Sequence, residues 1–257
     1  MVKAAIFRRP VRRPHSRPGF VVQDELSGRL FCTQTRSMPR LWRNNGLSLV
    51  LVALFLASMV GQTLTGWSDA NEEARMHGEP PSAFSTYLTS GHFWEATAEN
   101  WESEFLQMAM FVVLTISLRQ KGSAESKRID VVEDVDLDPA RFQDAPDAPG
   151  PVRRGGWRLR VYQHSLGLMF GGLFVVSFAM HGVGGLQAFN EERLEHGQAA
   201  ATLSEYMVSS KFWFESFQNW QSEFLSLAAM VVGTIFLRQR GSAESKPVHA
   251  PHGETGR

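Results

Sequence analysis

The feature that most constrains the fold of this chain is a stretch that occurs twice. Shifting the chain by 119 positions aligns residues 41–127 with residues 160–246 without a gap, with roughly 36 identities in 87 positions. Self-similarity at one fixed offset indicates that a chain is built from copies of one structural unit. The sequence therefore predicts two tandem repeats, residues 41–127 and 158–246.

Each repeat contains an apolar segment long enough to cross a bilayer. Residues 44–68 carry no charge, and between positions 163 and 190 the only titratable side chains are His164 and His181. A hydrocarbon core of about 30 Å needs roughly 20 apolar residues in a helix. The predicted spans are 46–66 and 164–186. The zero net charge and slightly negative mean hydropathy of the whole chain hide this segregation.

A shorter apolar segment closes each repeat. Between Glu104 and Arg119 lie 14 uncharged residues, which make about 21 Å of helix at 1.5 Å per residue. A full crossing requires the helix to begin near Glu99, so the predicted second spans are 99–119 and 218–238. The predicted fold class is an all-α integral membrane protein with four transmembrane helices, arranged as two tandem helical hairpins of the same orientation.

This scheme places a carboxylate of each repeat, Glu104 or Glu223, about one turn inside the outer membrane boundary. Ionisable residues at such depth usually face a bundle interior or a water-filled cavity, which predicts an ion or proton site where the repeats meet. The alternative is that helix tilt lets both carboxylates reach headgroup water. By helical spacing, each carboxylate shares a face with an asparagine and a serine. The candidate site is therefore Glu104, Glu223, Asn100, Asn219, Ser103 and Ser222.

A second candidate site lies in the repeated Asn-Glu-Glu…His-Gly motif. Glu73 with His77, and Glu192 with His196, are i,i+4 pairs, and both residue types are good ligands for divalent transition metals. The alternative is a short surface helix with asparagine as its N-cap, histidine in its last turn and glycine after it. Beyond this metal the sequence predicts no cofactor.

The remaining segments are polar, and their charges predict orientation. Residues 1–40 hold nine Lys or Arg and four Pro and are predicted to be a basic disordered extension; a start at Met38 also fits. Residues 128–157 are predicted to be a flexible acidic linker, and residues 247–257 a disordered tail. Because Lys and Arg concentrate at the span ends opposite the hairpin loops, both termini are predicted to be cytoplasmic.

The motifs of the chain resemble those of an uncharacterised bacterial membrane-protein family, known only as a domain of unknown function. The shared features are Arg43-Asn-Asn-Gly46-Leu-Ser, the two Asn-Glu-Glu…His-Gly pairs, Trp-x-Ser-Glu-Phe-Leu and Arg-Gln-x-Gly-Ser-Ala-Glu-Ser-Lys. The resemblance covers Leu41–Lys246 and implies a bacterial inner-membrane location. In that family the chain begins just ahead of the Arg-Asn-Asn-Gly segment. The resemblance supplies no reaction, ligand or catalytic residue.

Three functions fit these patterns. No phosphate-binding glycine loop, Gly-x-Ser-x-Gly or dinucleotide fingerprint occurs, so the sequence favours a non-enzymatic structural or interaction module of the membrane with two outward-facing helical loops. The alternative is a small oligomeric cation or proton transporter or channel that uses the repeated Glu pair. A metal-binding protein or enzyme on the outer face is the second alternative. The predicted partners are the lipid bilayer and either further copies of the chain or another membrane protein, and no nucleic acid.

Overall fold

A computed structural model of the chain describes residues 40–256, and over that range the fold is helical without a strand. Residues 1–39 of the predicted basic extension lie outside the described residues. Two short 3-10 turns, Asp134–Asp136 and Pro139–Phe142, lie between the longer elements. The α-helices are α1 (Arg40–Met76), α2 (Phe84–Tyr87), α3 (Gly91–Ser117), α4 (Gly150–Arg154), α5 (Gly156–Gln163), α6 (Ser165–Glu195), α7 (Leu203–Met207) and α8 (Ser210–Phe236).

The chain divides into two compact units, Met1–Phe55 and Leu56–Arg257. Of the first unit the structure describes residues 40–55, which form the N-terminal part of α1. The second unit contains the rest of α1 and all the other helices. Every contact described below lies within this second unit.

Two helices, α1 and α6, are long and apolar enough to cross a membrane. They overlap the predicted first span of each repeat, and each extends about ten residues past its predicted end. Helices α3 and α8 contain 27 residues each and begin eight residues before the predicted second spans. Their first turns are capped by Ser90 and Ser209, whose hydroxyls accept the backbone N–H of the third residue on.

The prediction that a short surface helix begins at the Asn-Glu-Glu motif is wrong. Helix α1 runs through Asn71 without a break, because the preceding apolar residues already form a helix that propagates into the motif. The side chain of Asn71 serves the following loop instead, accepting the backbone N–H of Ser82 at 2.7 Å. Asn190 makes the equivalent contact. The predicted glycine ends are confirmed, since Gly78 and Gly197 have φ of +77° and +69°.

Helices α3 and α6 approach each other at backbone contact. A Cβ atom on Gly91 would lie 2.5 Å from the backbone nitrogen of Ala188, and one on Gly184 would lie 2.9 Å from that of Glu95. Glycine at such positions lets two helices pack more closely than any side chain would permit. This contact sets the register in which α3 and α6 face one another.

The segments outside the long helices also make defined contacts. Within the predicted linker, Arg128 pairs with Glu133 at 3.3 Å. The tail after α8 lies on the loop that follows α3, because the buried Lys246 ammonium donates to the carbonyl oxygens of Gly122 at 2.5 Å and Glu254 at 2.8 Å. The tail therefore joins the ends of α3 and α8.

Candidate functional site

His181 of α6 is the centre of a buried polar cluster. Its Nδ1 lies 2.7 Å from Oε2 of Glu102 on α3, and its Nε2 lies 3.5 Å from Oε2 of Glu215 on α8. The side chains of His181 and Glu102 are 0% exposed. One imidazole therefore connects carboxylates from two other helices in a site shielded from solvent.

Aromatic side chains of α8 complete the inner part of the cluster. The indole N–H of Trp220 donates to Oε1 of Glu102 at 2.8 Å. The ring of Phe212 stacks on the imidazole of His181 with a centroid separation of 4.7 Å. Both Glu102 oxygens thus face N–H donors, and Phe212 covers one face of the histidine. We call Glu102, His181, Glu215 and Trp220 the buried cluster.

A lysine and a second carboxylate lie at the exposed end of the buried cluster. The Lys211 ammonium is 2.8 Å from Oε1 of Glu215 and 3.8 Å from Oε1 of Glu95. The side chain of Lys211 is 37% exposed, against 13% for Glu95 and 17% for Glu215. We call Lys211 and Glu95 the mouth of the site. Exposure therefore falls from Lys211 through Glu215 to the fully buried His181.

A tyrosine packed against a glycine holds Glu215 in place. The buried Tyr206 hydroxyl of α7 donates to Oε2 of Glu215 at 3.1 Å. Any Cβ on Gly185 of α6 would overlap that hydroxyl, so only glycine permits the contact. Tyr87 lies against Gly66 in the same way, 119 positions earlier.

The charges of the site are dominated by carboxylates. Besides Glu95, Glu102 and Glu215, the site includes Glu99, which accepts a hydrogen bond from the Asn219 amide. Against these four acids stand Lys211 and the titratable His181. An excess of carboxylate in a site with little solvent favours the uptake of protons or other cations.

The pKa values at the mouth follow from burial and from Lys211. Burial raises the pKa of Glu95 to about 7, although the Lys211 ammonium opposes the rise. Burial also raises the pKa of Tyr206, and the Glu215 carboxylate raises it further. Burial opposes the charged form of Lys211, but the hydrogen bond to Glu215 prevails and raises its pKa. Glu95 is thus the carboxyl group at the mouth that exchanges a proton near neutral pH.

Each ionisable group of the buried cluster is present in one repeat and replaced by a neutral residue in the other: Glu102 lies in the first repeat, and His181 and Glu215 lie in the second. The position 119 residues before His181 is Gln62, and the position 119 residues after Glu102 is Gln221. The Gln62 amide donates to the Thr97 hydroxyl at 3.2 Å, which is a neutral contact. The acid–base chemistry is therefore contributed by α3, α6 and α8 together and is not duplicated.

The residues predicted as an ion site lie mostly apart from this cluster. Glu104 is exposed and Glu223 is half-buried. Neither carboxylate belongs to a hydrogen bond or ion pair described within residues 40–256, but the charge of Glu104 acts on Glu223. Asn100, Ser103 and Ser222 bond to carbonyl oxygens of their own helices. Of the six predicted residues, only Asn219 reaches a member of the site, through Glu99.

The predicted metal pairs do not form through their side chains. His77 Nδ1 faces the backbone oxygen of Glu73 at 3.0 Å, and His196 Nδ1 faces that of Glu192 at 2.8 Å. Both histidines therefore close the ends of their helices. Over the described part of the chain, no three His, Cys, Asp or Glu side chains are grouped so that they could hold a metal ion.

Sequence reasoning missed the buried cluster because it followed the matches between the repeats. Glu104 is predicted as a site residue because Glu223 repeats it, whereas Glu102 has Gln221 as its counterpart. The overlooked signal was His181, an ionisable residue in the middle of an otherwise apolar span, which marks a functional site by default. Departures from the repeat identify this site, and matches do not.

These features define an all-helical protein with two helices that are long and apolar enough to cross a membrane. The chain belongs to a family described as a domain of unknown function (DUF6766), whose model matches residues 38–257. The expected membership of an uncharacterised family is thereby confirmed. No match is found among curated proteins or among solved structures.

Proposed function

We propose that this chain is a multi-pass protein of the bacterial inner membrane that moves protons or other small cations through the buried cluster. The observation that carries the proposal is the position of His181 between two carboxylates of other helices. An imidazole with a carboxylate beside each nitrogen can accept a proton on one side and donate one on the other. Chains of Asp, Glu and His inside membrane helix bundles form proton relays.

The membrane assignment rests on the apolar helices. Helices α1 and α6 are candidate spans by length and composition. Helices α3 and α8 supply the second span of each hairpin. From about residues 99 and 218 onward, each is long enough to cross the hydrocarbon core. The distribution of Lys and Arg favours cytoplasmic termini, which puts the mouth of the site on the outer side. The internal duplication favours two hairpins of the same orientation.

Polar groups continue from the buried cluster toward the opposite end of α3. The Gln107 amide, about 7.5 Å further along the helix, donates to the Ser226 hydroxyl at 2.9 Å. Beyond it lies a cavity of about 1230 Å³, whose walls include Val112, Ile116 and Thr255. From Glu95 to Ile116 the helix extends about 32 Å, which is comparable to a hydrocarbon core of about 30 Å.

A purely structural role does not require this arrangement. Replacing a buried ion pair with well-packed apolar residues is often neutral or stabilising. A membrane scaffold has no use for four carboxylates around one histidine, whereas a relay depends on them. The predicted scaffold function therefore becomes the competing outcome of the experiment that tests transport.

The test is proton flux into liposomes that contain the purified chain and an internal pH-sensitive dye, with a potassium diffusion potential as the driving force. The informative variants are His181→Gln and Glu102→Gln, because each introduces the residue that the other repeat already has. We expect flux through the wild type and a loss of at least about tenfold in each variant, since a positioned acid–base group contributes at least that much to proton transfer.

The control is Glu72→Gln, an exposed residue of α1 outside the site. It should leave the flux unchanged. Equal fluxes through the wild type, His181→Gln and empty liposomes would refute the transport function and leave the scaffold. Circular dichroism of each variant checks that it has folded.

A further inference from the structure

We infer that the species admitted by this site is the proton, and that Lys211 is the residue that excludes alkali-metal cations at the mouth. This inference rests on the proposed function and specifies its substrate. It follows from the position of Lys211, from the donor that faces each carboxylate oxygen behind it and from the carboxyl group of Glu95 beside it.

Lys211 lies at the exposed end of the contacts that lead through Glu215 to His181. Its ammonium lies between Glu215 at 2.8 Å and Glu95 at 3.8 Å, and it is more exposed than either carboxylate. Lys211 and Glu215 are separated by one helical turn of α8, so the helix itself supports the pair. An ion that approaches from the exposed end therefore meets a fixed positive charge first.

A fixed positive charge affects a metal ion and a proton differently. An alkali-metal ion must pass as a charged particle within a few ångströms of the ammonium, where the repulsion is strong because the surroundings are partly dry. A proton does not travel as a free ion, since it moves between hydrogen-bonding groups. Glu95, whose pKa is about 7, can take up and release a proton beside Lys211 at neutral pH.

Each carboxylate oxygen beyond the mouth already faces one donor. The two oxygens of Glu102 face Trp220 and His181. Those of Glu215 face Lys211 and Tyr206. Metal ions such as Ca²⁺ and Mg²⁺ are held by six or more oxygen ligands, and an alkali-metal ion likewise needs a shell of oxygens. Such an ion would find a hydrogen-bond donor already beside each of these four oxygens, whereas a proton moves between hydrogen-bonding groups.

The other repeat lacks this arrangement. The position 119 residues before Lys211 is His92, and the counterparts of Glu95 and Glu215 are Phe214 and Ala96. His92 lies 3.3 Å from the Tyr87 hydroxyl. The three positions that match Lys211, Glu95 and Glu215 therefore hold no lysine and no carboxylate.

The test compares proton flux with sodium and rubidium uptake in the same liposomes. Wild type should carry protons, and its sodium and rubidium uptake should equal that of His181→Gln. Lys211→Met keeps most of the side-chain length but removes the charge. It should admit sodium or rubidium at a rate at least about tenfold above wild type, because a nearby like charge disfavours a cation by at least that factor.

Three further variants make the result interpretable. Lys211→Gln repeats the test with a polar side chain in case the methionine variant does not fold. Lys211→Arg restores the charge and should restore the exclusion of sodium and rubidium. Lys121→Met removes an exposed lysine outside the site and should change neither flux.

Two results would overturn the inference. Sodium or rubidium uptake through the wild type that is lost in His181→Gln would show that the site conducts metal cations. Metal-ion uptake that stays at background in both Lys211→Met and Lys211→Gln, while proton flux persists, would show that Lys211 is not the filter. The absence of any His181-dependent flux would instead refute the proposed function itself, and this inference with it.

Discussion

Helices α1 and α6 are both long and apolar enough to cross a membrane, yet they carry different chemistry at matching positions. The α1 position holds Gln62, which is half-buried and donates to the neutral Thr97 hydroxyl at 3.2 Å. The α6 position holds His181, which is fully buried between two carboxylates. The most apolar segment of α1 has no buried residue, whereas 17% of the most apolar segment of α6 is buried.

The difference shows that the ionisable residues of this site lie at positions where the two repeats have different residues. Glutamine satisfies its hydrogen bonds without a change of charge, whereas a histidine flanked by carboxylates can change its protonation state. If this comparison is correct, equivalent substitutions in the two repeats should have unequal effects.

The largest difference in the free energy of unfolding is expected between Glu102→Leu and Gln221→Leu, with the greater loss in Glu102→Leu. Removing Glu102 leaves the buried His181 and the half-buried Trp220 without their acceptor, and breaking a buried pair costs about 3 kcal/mol or more. Gln221 is exposed, so its replacement should change the free energy of unfolding by less than about 0.5 kcal/mol. Denaturant unfolding of the protein in detergent measures both. Equal losses would contradict the comparison.

The next effect concerns Glu95 and the pH dependence of stability. Its pKa is raised from 4.5 to about 7 in the folded state, so the folded protein binds more protons than the unfolded chain between these values. The stabilisation is full below pH 4.5 and is lost as pH rises through about 7, by about 3 kcal/mol at most.

The measurement is the unfolding free energy as a function of pH for the wild type and Glu95→Gln. The variant should show a flatter profile between pH 4.5 and 7, because the group that takes up the proton is gone. Glu72→Gln should keep the wild-type profile. An unchanged slope in Glu95→Gln would mean that another group governs the pH dependence.

Smaller losses of stability are expected in Gly185→Ala and Gly66→Ala, and a loss of proton flux is expected in Gly185→Ala alone. Each added methyl group overlaps a tyrosine hydroxyl, Tyr206 in one case and Tyr87 in the other. Overpacking of this kind costs about 1–3 kcal/mol, so both variants should lose stability to a similar degree. Only Gly185→Ala should also reduce proton flux, because Tyr206 holds Glu215. A similar loss of flux in both variants would argue against a single site.

The smallest effect should come from Glu104→Gln, alone or with Glu223→Gln. Glu104 is exposed, and within the described residues neither carboxylate forms an ion pair. The change in unfolding free energy should stay within about 0.5 kcal/mol, and the proton flux should not change. A marked loss of flux in the double variant would instead support the ion site that the repeated motif predicts.

Much of the local structure was predictable because its signals are local. Hydropathy over 20 residues predicted the two long apolar helices, and the glycines after the two Asn-Glu-Glu…His motifs follow the ends of their helices as predicted. The Asn71 segment was misassigned because a helix start and a helix end share polar residues. The apolar helix before it decided the outcome by running on to Met76.

The choice between Glu102 and Glu104 shows where sequence reasoning stops. Two residues apart on a helix of 3.6 residues per turn, their side chains point about 200° apart, so they cannot both face the same neighbouring helix. Which one faces inward depends on the rotation of α3. That rotation is set by the backbone contact of Gly91 with Ala188 and of Gly184 with Glu95.

By itself, the sequence determined the helical class, the apolar segments of α1 and α6 and the membership of the family, because composition, periodicity and motifs are read along the chain. Only the tertiary structure decided which ionisable groups meet. His181 and Glu102 are 79 residues apart, and Trp220 and Glu102 are 118 apart. Their contact depends on the packing of α3, α6 and α8, since long-range pairing follows from helix register and rotation and leaves no periodic signal in the chain.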